Sequence, residues 1–496
     1  MCNTEETSLL EQFKQPRRLH PAAMYFDLIR VIKETIFGFG IGLILTLKES
    51  LFYFIIFASV FLILLIISSV LSWLRFTYRI EDNELRIEQG IFVRKKRYIS
   101  LNRIHKIDLS ANVVHRIIKL VKVQIDTASS GGGAEVSLSA IKVEEGERLR
   151  RALKKRENDF VIDEEKSEKT IPTEKISWSR LFIAGTTSGS VGIILFALLA
   201  GFTQIEELIP KRIYNSAYTW VIGQSVVILI GLIIFILLLL WIVGIAGTMI
   251  KYGNFIIEKR EKELFIRRGL LETKELTIPF ERIQAIGIQQ SPIRQPMKFV
   301  QVFAVVAGGS FDKMEPFPVL FPLIHEREVD KFLQEFLPEF DQLETELIPL
   351  SKRSLKFYLF KSSILFILAL LATAYFFPSF IWISLILLGL SLWYGWLQFK
   401  DGGYAIDGKR FTLQRRVFNK VTVTTYHRRI QSLKKRQHKI QALQKLATIE
   451  ISLIGLGGLG THYSLKHLEE KDANKVADWY SYRKTSKNTD LLDPLE

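Results

Sequence analysis

The chain of 496 residues contains a single cysteine, Cys2. This scarcity excludes an intramolecular disulfide framework and a thiolate metal cluster. The motifs HExxH, GxxxxGK[ST] and GxSxG do not occur, so the signatures of zinc peptidases, P-loop nucleotide hydrolases and α/β-hydrolases are missing. The eight histidines are scattered along the chain. The sequence therefore predicts no metal, no cofactor and no enzymatic activity.

What the chain has instead is apolar residues and basic charge. Apolar residues make up 48% of it, and 67 Lys and Arg against 51 Asp and Glu give a net charge of +16. Mean hydropathy is nevertheless positive, at +0.18. This combination indicates membrane spans joined to basic soluble domains. Basic charge would also suit nucleic acid, so charge alone does not decide the partner.

Six apolar runs occur in three pairs, and each pair predicts a helical hairpin across a membrane. The runs cover residues 35–47 and 51–74, then 181–202 and 218–250, then 357–377 and 379–397. The first run is short and by itself would suit a buried or re-entrant segment. Lys and Arg concentrate in the N-terminal segment and where each pair ends. The positive-inside rule then predicts six spans, with both termini and the segments after each pair in the cytoplasm.

One stretch of sequence occurs three times without a gap, at residues 85–123, 264–302 and 411–449. A fixed offset held over a whole segment indicates duplication of a module. Two sets of residues superpose in all copies: Arg103, Arg282 and Arg429, each followed by Ile, and Lys119, Lys298 and Lys445.

Each repeat carries the pattern of a small β-domain. Apolar positions alternate on both sides of the polar turn Glu81-Asp82-Asn83, which predicts a hairpin. Glycine turns follow apolar strands at residues 131–133 and 308–309. A charged amphipathic segment closes each copy, at residues 143–155, 325–337 and 466–483. The predicted fold class is a multi-pass α-helical membrane protein with three α+β modules, each a β-sandwich or barrel with a C-terminal helix.

The predicted organisation alternates hairpins and modules. It comprises a cytoplasmic N-terminal segment (1–34), transmembrane hairpin 1 (35–74), module 1 (75–157), a linker (158–179), hairpin 2 (180–250), module 2 (251–340), a linker (341–356), hairpin 3 (357–397), module 3 (398–484) and a C-terminal tail (485–496).

A pair of spans followed by a β-rich module with Arg-Ile, a Lys-Φ-Val-x-Val strand and a glycine turn resembles the bacterial membrane-anchored pleckstrin-homology-like domain family. Three copies resemble its long members, and the resemblance covers nearly the whole chain from about residue 35. It implies a pleckstrin-homology-like β-sandwich capped by a helix, location in the bacterial inner membrane, and a shorter one-module relative as a partner in a hetero-oligomer. It also implies a link to resistance to envelope-directed antimicrobial compounds.

The third copy departs from the pattern of the other two. It has Arg415-Arg416 where they have Gln89-Gly90 and Arg268-Gly269, which leaves the geometry of its hairpin open. It also contains GLGGLG at residues 455–460, which satisfies G-x-G-x-x-G. A dinucleotide site needs a helix directly after these glycines, and the following THYSLKHLEE has no immediate helical pattern. We therefore interpret this string as a hairpin.

Basic residues are the strongest chemical signal in the sequence. Residues 420–445 contain no acidic residue and only one aromatic residue, Tyr426. Sparse aromatics disfavour single-stranded nucleic acid, whereas each basic residue near an anionic membrane contributes about 1 kcal/mol. A solvated face that merely obeys the positive-inside bias is favoured about equally. The candidate contacts with anionic headgroups or phosphate are Arg103, Arg282, Arg429, Arg428, Lys434, Lys435, Arg436, Lys439, Lys445, Lys95, Lys96 and Arg97.

Two functions follow from this sequence. The first is a non-enzymatic scaffold whose cytosolic modules bind the anionic inner leaflet or a partner membrane protein and support envelope integrity. The alternative is flippase-like export of a lipid or antimicrobial compound through the six helices. No acidic residue lies clearly inside an apolar run, so the sequence gives transport no positive support. For the superposed Arg103, Arg282 and Arg429, a structural role is favoured about two to one over phosphate binding.

Overall fold

A computed structural model describes residues 13–46, 51–91, 93–127, 136–154, 172–189, 224–308, 317–341, 346–455 and 460–481, with single positions between 192 and 223. The chain divides into two compact units, residues 1–257 with 265–277 and residues 258–264 with 278–496. The predicted glycine turn at 131–133, most of the linker 158–179 and the C-terminal tail 485–496 lie outside the described residues.

The helices alternate between long apolar ones and short ones that belong to the modules. In chain order they are α1 (Ala22–Thr46), α2 (Leu51–Arg75), α3 (Val113–Ile117), α4 (Val143–Lys154), α5 (Trp178–Thr186), α6 (Val226–Tyr252), α7 (Glu326–Phe336), α8 (Leu355–Phe376), α9 (Ile381–Lys400), α10 (Lys439–Leu443) and α11 (Glu470–Tyr480).

Among the described residues, four helices are long and apolar enough to cross a membrane: Ile55–Arg75, Val226–Tyr252, Lys352–Phe376 and Pro378–Lys400. Their side chains are largely exposed, as lipid-facing surfaces require. The protein is therefore a multi-pass membrane protein. The predicted short run 35–47 lies in α1, which begins earlier, at Ala22, within the predicted N-terminal segment. The run 181–202 is described continuously only at residues 181–189 and at single positions after them, and six spans remain a prediction.

Small residues bring α8 and α9 together. A Cβ added at Gly395 would lie 2.3 Å from Ser362 Oγ, so the two helices approach closely at this point. Thr373 Oγ1 donates a hydrogen bond to Ser384 Oγ across the pair, at 2.9 Å. Close approach at glycine and hydroxyl bonds between helices are the usual contacts of packed spans. The third predicted hairpin is therefore held by specific interhelical contacts.

The strands form two seven-stranded sheets and two three-stranded sheets, ordered β1-β2-β3, β6-β5-β4-β10-β9-β8-β7, β13-β12-β11-β17-β16-β15-β14 and β18-β19-β20. Their bounds are β1 Thr77–Glu81, β2 Glu84–Gln89, β3 Lys95–Ser100, β4 Ile104–Ala111, β5 Leu120–Thr127, β6 Val136–Lys142, β7 Thr173–Lys175, β8 Ile256–Lys259, β9 Glu263–Arg268, β10 Thr273–Pro279, β11 Ile283–Gln290, β12 Phe299–Val306, β13 Val319–His325, β14 Ile348–Pro349, β15 Gly403–Asp407, β16 Arg410–Arg416, β17 Lys420–Tyr426, β18 Ile430–Arg436, β19 Leu446–Ile454 and β20 Gly460–Glu469.

The first module shows how each repeat buries its apolar positions. Alternate residues of β1 and β2 are buried, and they form one core with β4–β6 and α4. Tyr78 and Ile87 from the first three strands, Val123 from the last three, and Leu149 of α4 all belong to this core. The two groups of three strands therefore pack as layers with the helix, as the sequence pattern predicts for a β-module with a C-terminal helix.

One predicted turn is confirmed, and the strands on either side of a second predicted turn pair as expected. Asp82 and Asn83 have φ of 50° and 65°, and Glu81 pairs with Glu84, which is the geometry of a two-residue type I′ hairpin. The GLGGLG string connects β19 to β20, which pair antiparallel. An antiparallel pair is incompatible with a βαβ dinucleotide unit. Residues 456–459 of the string itself lie outside the described residues.

The sheets continue from one module into the next, which the sequence did not predict. β4 of module 1 pairs antiparallel with β10 of module 2, where Thr273 faces Ala111 and Lys274 faces Ser110. β11 of module 2 pairs in the same way with β17 of module 3, where Gln290 faces Lys420. Adding the repeat offset of 179 to Ala111 gives Gln290, and adding the offset of 147 to Thr273 gives Lys420, so the two joints align equivalent residues. Both joints therefore use the same register.

Module 3 has an arginine in a buried ion pair where the other two modules have a glycine. Gly90 and Gly269 have φ of 116° and 108°, and a Cβ at Gly269 would lie 1.9 Å from the Glu272 carbonyl oxygen. At the equivalent position Arg416 continues β16 and faces Lys420 on β17. Its buried guanidinium pairs with Asp401, directly after α9. The arginine is therefore a structural part of this hairpin.

We expect Asp401→Ala to destabilise the protein by about 3–5 kcal/mol, because it leaves the buried Arg416 guanidinium without its counter-ion. Denaturant unfolding of the purified full-length protein in micelles measures this change. The double variant Asp401→Ala with Arg416→Met should recover part of the loss, since it removes the buried charge as well. A loss below about 1 kcal/mol for the single variant would contradict this role.

Candidate membrane-contact face

Each module begins almost where a long helix ends. α2 ends at Arg75 and β1 begins at Thr77, α6 ends at Tyr252 and β8 begins at Ile256, and α9 ends at Lys400 and β15 begins at Gly403. Consecutive residues advance by at most about 3.6 Å, so each first strand starts within roughly 15 Å of its span. One end of every module is therefore close to the membrane surface.

In module 3, the start of the hairpin also contacts this membrane-proximal end. Ser354, just before α8, donates a hydrogen bond from its hydroxyl to the His467 carbonyl, and Tyr358 donates to the Lys466 carbonyl at 2.9 Å. The Phe357 ring stacks on the His467 imidazole with 4.7 Å between centroids. Both ends of hairpin 3 therefore flank the end of β20.

The short helix α10 lies beside the same contacts. Gln441 Nε2 lies 3.0 Å from His467 Nδ1, and the Lys445 carbonyl accepts the Glu470 amide at 2.9 Å. Module 1 has a comparable arrangement, because the His115 ring of α3 stacks on Phe26 of α1 at 3.8 Å. The segment between the fourth and fifth strands therefore lies next to the first helix of the hairpin in both modules.

This segment, which we call the tip, comprises residues 113–119, 292–298 and 439–445. It presents large apolar side chains to solvent in all three modules. Ile117 is 76% exposed and Leu443 is 83% exposed, and Ile293 occupies the position equivalent to Val114 and Ile440. Exposed apolar groups at one repeated place indicate a contact surface. The exposed apolar residues of the tips are Val113, Val114, Ile117, Ile118, Ile293, Met297, Ile440 and Leu443.

The last residue of each tip is the superposed lysine. Lys119, Lys298 and Lys445 have φ of 54°, 53° and 54°, in the left-handed region. Each carbonyl accepts the first amide of the helix that closes its module. A non-glycine residue in this region costs of the order of 1–3 kcal/mol and is typical of functional positions. Glycine or asparagine would suit the backbone better, so retention of three exposed lysines indicates a role for the side chain.

A second apolar loop lies at the proximal end of module 3. β16 returns antiparallel to β15, and the turn after it exposes Val417 and Phe418. Tyr394 of α9 donates a hydrogen bond to the Val417 carbonyl, which fixes this turn beside the span. Leu271, at the position equivalent to Phe418, is also exposed. The tip and this turn together form the membrane-contact face.

Only part of the predicted basic set lies on this face. Lys439 and Lys445 belong to the tip of module 3 and are exposed. Six others lie along two end strands, where they are exposed: Lys95, Lys96 and Arg97 on β3, and Lys434, Lys435 and Arg436 on β18.

The remaining four arginines lie on short 3-10 helices, Leu101–Arg103, Phe280–Arg282 and His427–Arg429, that follow the third strand of each module. In module 3 this helix follows the end of β17 that faces Arg410, at the end of the module away from the span. Arg429 makes two bonds to the Glu339 carboxylate, at 2.9 and 2.7 Å, and its side chain is 8% exposed. Arg428 contacts the same carboxylate. Arg429 therefore has a structural role in this module, while Arg103 is exposed and Arg282 half-buried.

Comparison with known proteins agrees with the fold. The sequence profile of the Bacterial PH domain matches residues 36–157, 194–339 and 363–484, and each match includes part or all of a hairpin and the module that follows. The chain belongs to the bacterial PH domain family. The family predicted from the repeated architecture is thus confirmed. The UPF0699 transmembrane protein YdbT of Bacillus subtilis (strain 168) is 38% identical over 491 residues, which cover 95% of this chain and 99% of that protein.

The exposed apolar residues of the tips were not predicted from the sequence. The superposition that aligned the lysines also aligns Val114, Ile293 and Ile440, but apolar residues in a β-module are expected in its core. Their exposure follows from the short helical turn that carries them outside the sheets. Apolar residues directly before a left-handed lysine are the signal that would have identified the tip.

His467, which connects α8 to the tip, makes module 3 sensitive to acid. Burial, together with the charges of Lys466 and Lys361, lowers its pKa from 6.5 to about 4. The folded protein therefore binds fewer protons than the unfolded chain between pH 4 and 6.5, and stability falls as the pH drops through that window.

We expect His467→Asn to reduce the fall in thermal stability between pH 7 and pH 5, because asparagine does not titrate there and tolerates the left-handed φ of 57°. Thermal unfolding of both proteins over this pH range measures the effect. His462→Asn, on the same strand with a side chain 54% exposed, is the matched control. An equal fall in both variants would contradict the assignment to His467.

Proposed function

We propose that the three PH-like modules rest with their membrane-contact faces on the anionic inner leaflet of a bacterial membrane. The protein then acts as a non-enzymatic scaffold held against the lipid surface. The observation that carries the proposal is the tip, which combines exposed apolar side chains with a left-handed lysine in all three modules. In modules 1 and 3 this tip lies beside the helix that leads into the hairpin.

The chemistry of the tip suits the boundary between headgroups and acyl chains. Complete burial of a leucine or isoleucine side chain contributes about 1.5–3 kcal/mol, and each nearby basic residue adds about 1 kcal/mol on an anionic surface. Each tip alone would bind weakly. The spans, however, hold the modules next to the lipid, so a high effective concentration replaces strong affinity.

The orientation in this proposal follows from the basic residues. The N-terminal segment and the ends of α2, α6 and α9 carry Lys and Arg, whereas the residues next to Pro378, between α8 and α9, are uncharged. The positive-inside rule places the modules and both termini in the cytoplasm, with six spans in all. The resemblance to a family linked to antimicrobial resistance supports a role in envelope integrity or in resistance to antimicrobial compounds.

Reporter fusions after residues 160, 340 and 490 are expected to report the cytoplasm, since two crossings return the chain to the same side before each module. A phosphatase reporter, active only outside the cytoplasm, and a fluorescent reporter, active only inside, provide opposite readouts at each position. Phosphatase activity at any of the three positions would contradict this topology.

Contact of the tip with lipid can be measured in nanodiscs. An environment-sensitive fluorophore on Leu443→Cys, in a Cys2→Ser background, is expected to shift to the blue and to be quenched by shallow spin-labelled lipid. The reason is that residue 443 would lie at the headgroup boundary. The matched control is Lys409→Cys, because Lys409 lies at the turn between β15 and β16, at the opposite end of module 3.

Charge can be separated from apolar contact in the same assay. Lys439→Gln with Lys445→Gln should reduce quenching at residue 443 in anionic nanodiscs and leave it unchanged in zwitterionic ones. Equal fluorophore exposure at residues 443 and 409 would show that the tip does not contact the membrane.

A further inference from the structure

The series of modules ends in an incomplete sheet on each side. Each seven-stranded sheet joins the last three strands of one module to the first three strands of the next, and a short strand completes it. Within the described residues, β1-β2-β3 and β18-β19-β20 are the two halves without such a neighbour. β3 and β18 lie at the edges of these two sheets. Their equivalents in the other modules are the strands that form the joints.

The joints within the chain show which residues face each other when two modules share a sheet. At the joint between β11 and β17, Gly287 faces Val423 and Gln289 faces Val421. Thr425 also donates a hydrogen bond from its hydroxyl to the Gln284 carbonyl, at 2.8 Å. None of the described facing pairs at either joint brings two charged residues together. Each described facing pair at a joint within the chain therefore contains at most one charged residue.

The end strands differ in charge. Both internal joints share one register, so the repeat offsets also give the register that β18 and β3 would adopt between two copies of the chain. In that register Lys434 faces Arg97, Lys435 faces Lys96, and Arg436 faces Lys95. At three consecutive positions, two positively charged side chains would therefore face each other.

This arrangement disfavours self-association and favours a complementary strand. Like charges directly opposite in a β-ladder are destabilising, and opposite charges stabilise. Lysines on an exposed edge are a common protection against unwanted strand addition. Carboxylates lie near three of these cations, Glu88 at 3.4 Å from Lys96, Glu450 at 3.2 Å from Arg436 and Glu470 at 3.9 Å from Lys435, while the residues of the two rows themselves carry six positive charges.

We propose that β3 and β18 are docking edges for the β-strand of a different polypeptide that carries acidic residues at the three facing positions. The same cationic rows keep copies of this chain from joining end to end. The partner strand adds antiparallel in the register of the internal joints and extends the three-stranded half-sheet. This proposal does not depend on lipid contact, since it uses the end strands and not the tips.

Charge reversal tests the proposal in purified full-length protein in detergent, without lipid vesicles. One variant carries Lys434→Glu, Lys435→Glu and Arg436→Glu, and a second carries Lys95→Glu, Lys96→Glu and Arg97→Glu. Each then has one acidic and one basic edge and should self-associate to at least a dimer by light scattering. The wild type should remain a monomer, and so should the variant with all six changes. The six-fold variant mixed with wild type should form heteromers, because it presents the acidic strand that the proposal requires.

The matched control carries Lys409→Glu, Lys331→Glu and Lys352→Glu, exposed positions outside both end strands. It should neither self-associate nor bind the wild type. Register is checked by disulfide formation in a Cys2→Ser background, between Lys435→Cys on wild type and a cysteine at position 96 of the six-fold variant. Leu433→Cys paired with position 96 should cross-link less.

Three results would overturn the proposal. They are edge-mediated oligomers of the wild type, failure of the six-fold variant to bind wild type although both are folded, and equal binding by the control variant. Loss of the tip's contact with lipid in nanodiscs would leave these results unchanged, so the two proposals fail independently.

Discussion

A strand at the edge of a sheet exposes a row of backbone amides and carbonyls, and the architecture of this protein depends on how those rows are covered. Between modules they are covered by strand pairing, of β4 with β10 and of β11 with β17. On the opposite edge of each first sheet they are covered by the segment that precedes the hairpin. Arg17 bridges to Tyr78 in module 1, β14 pairs with β15 in module 3, and β7 lies beside β8. Backbone hydrogen bonds thus join elements that are distant in sequence.

The second constraint is the short connection between each hairpin and its module. One to three residues separate the end of a span from the first strand, which leaves the module little freedom to turn away from the membrane. In module 3, both helices of the hairpin contact the same end of the domain through Ser354 and Tyr394. The loops at that end are therefore held beside the spans, and their exposed side chains are apolar and basic.

Local features were predictable from the sequence because local chemistry determines them. The Asp82-Asn83 turn, the closing helices and the hairpin around the glycine string follow from residue patterns within about ten positions. The joints were not predictable, because β4 and β10 pair across more than 150 residues and no opposite charges face each other between them. Arg429 shows the limit for charged residues. The sequence favoured a structural role over phosphate binding but named no partner, and only the structure shows that the partner is Glu339.

The segment that precedes each hairpin has a consequence for biosynthesis. Arg17 exchanges backbone hydrogen bonds with Tyr78, and the His20 amide donates to the Ala140 carbonyl at 3.0 Å. The ribosome synthesises these partners on opposite sides of α1 and α2, so the first sheet can close only after the hairpin has left the ribosome. Translocon insertion and domain folding must then occur in a fixed order. If a hairpin failed to insert, the segment before it could not pair with the first strand of its module. That strand edge would stay exposed, and quality-control proteases could recognise it.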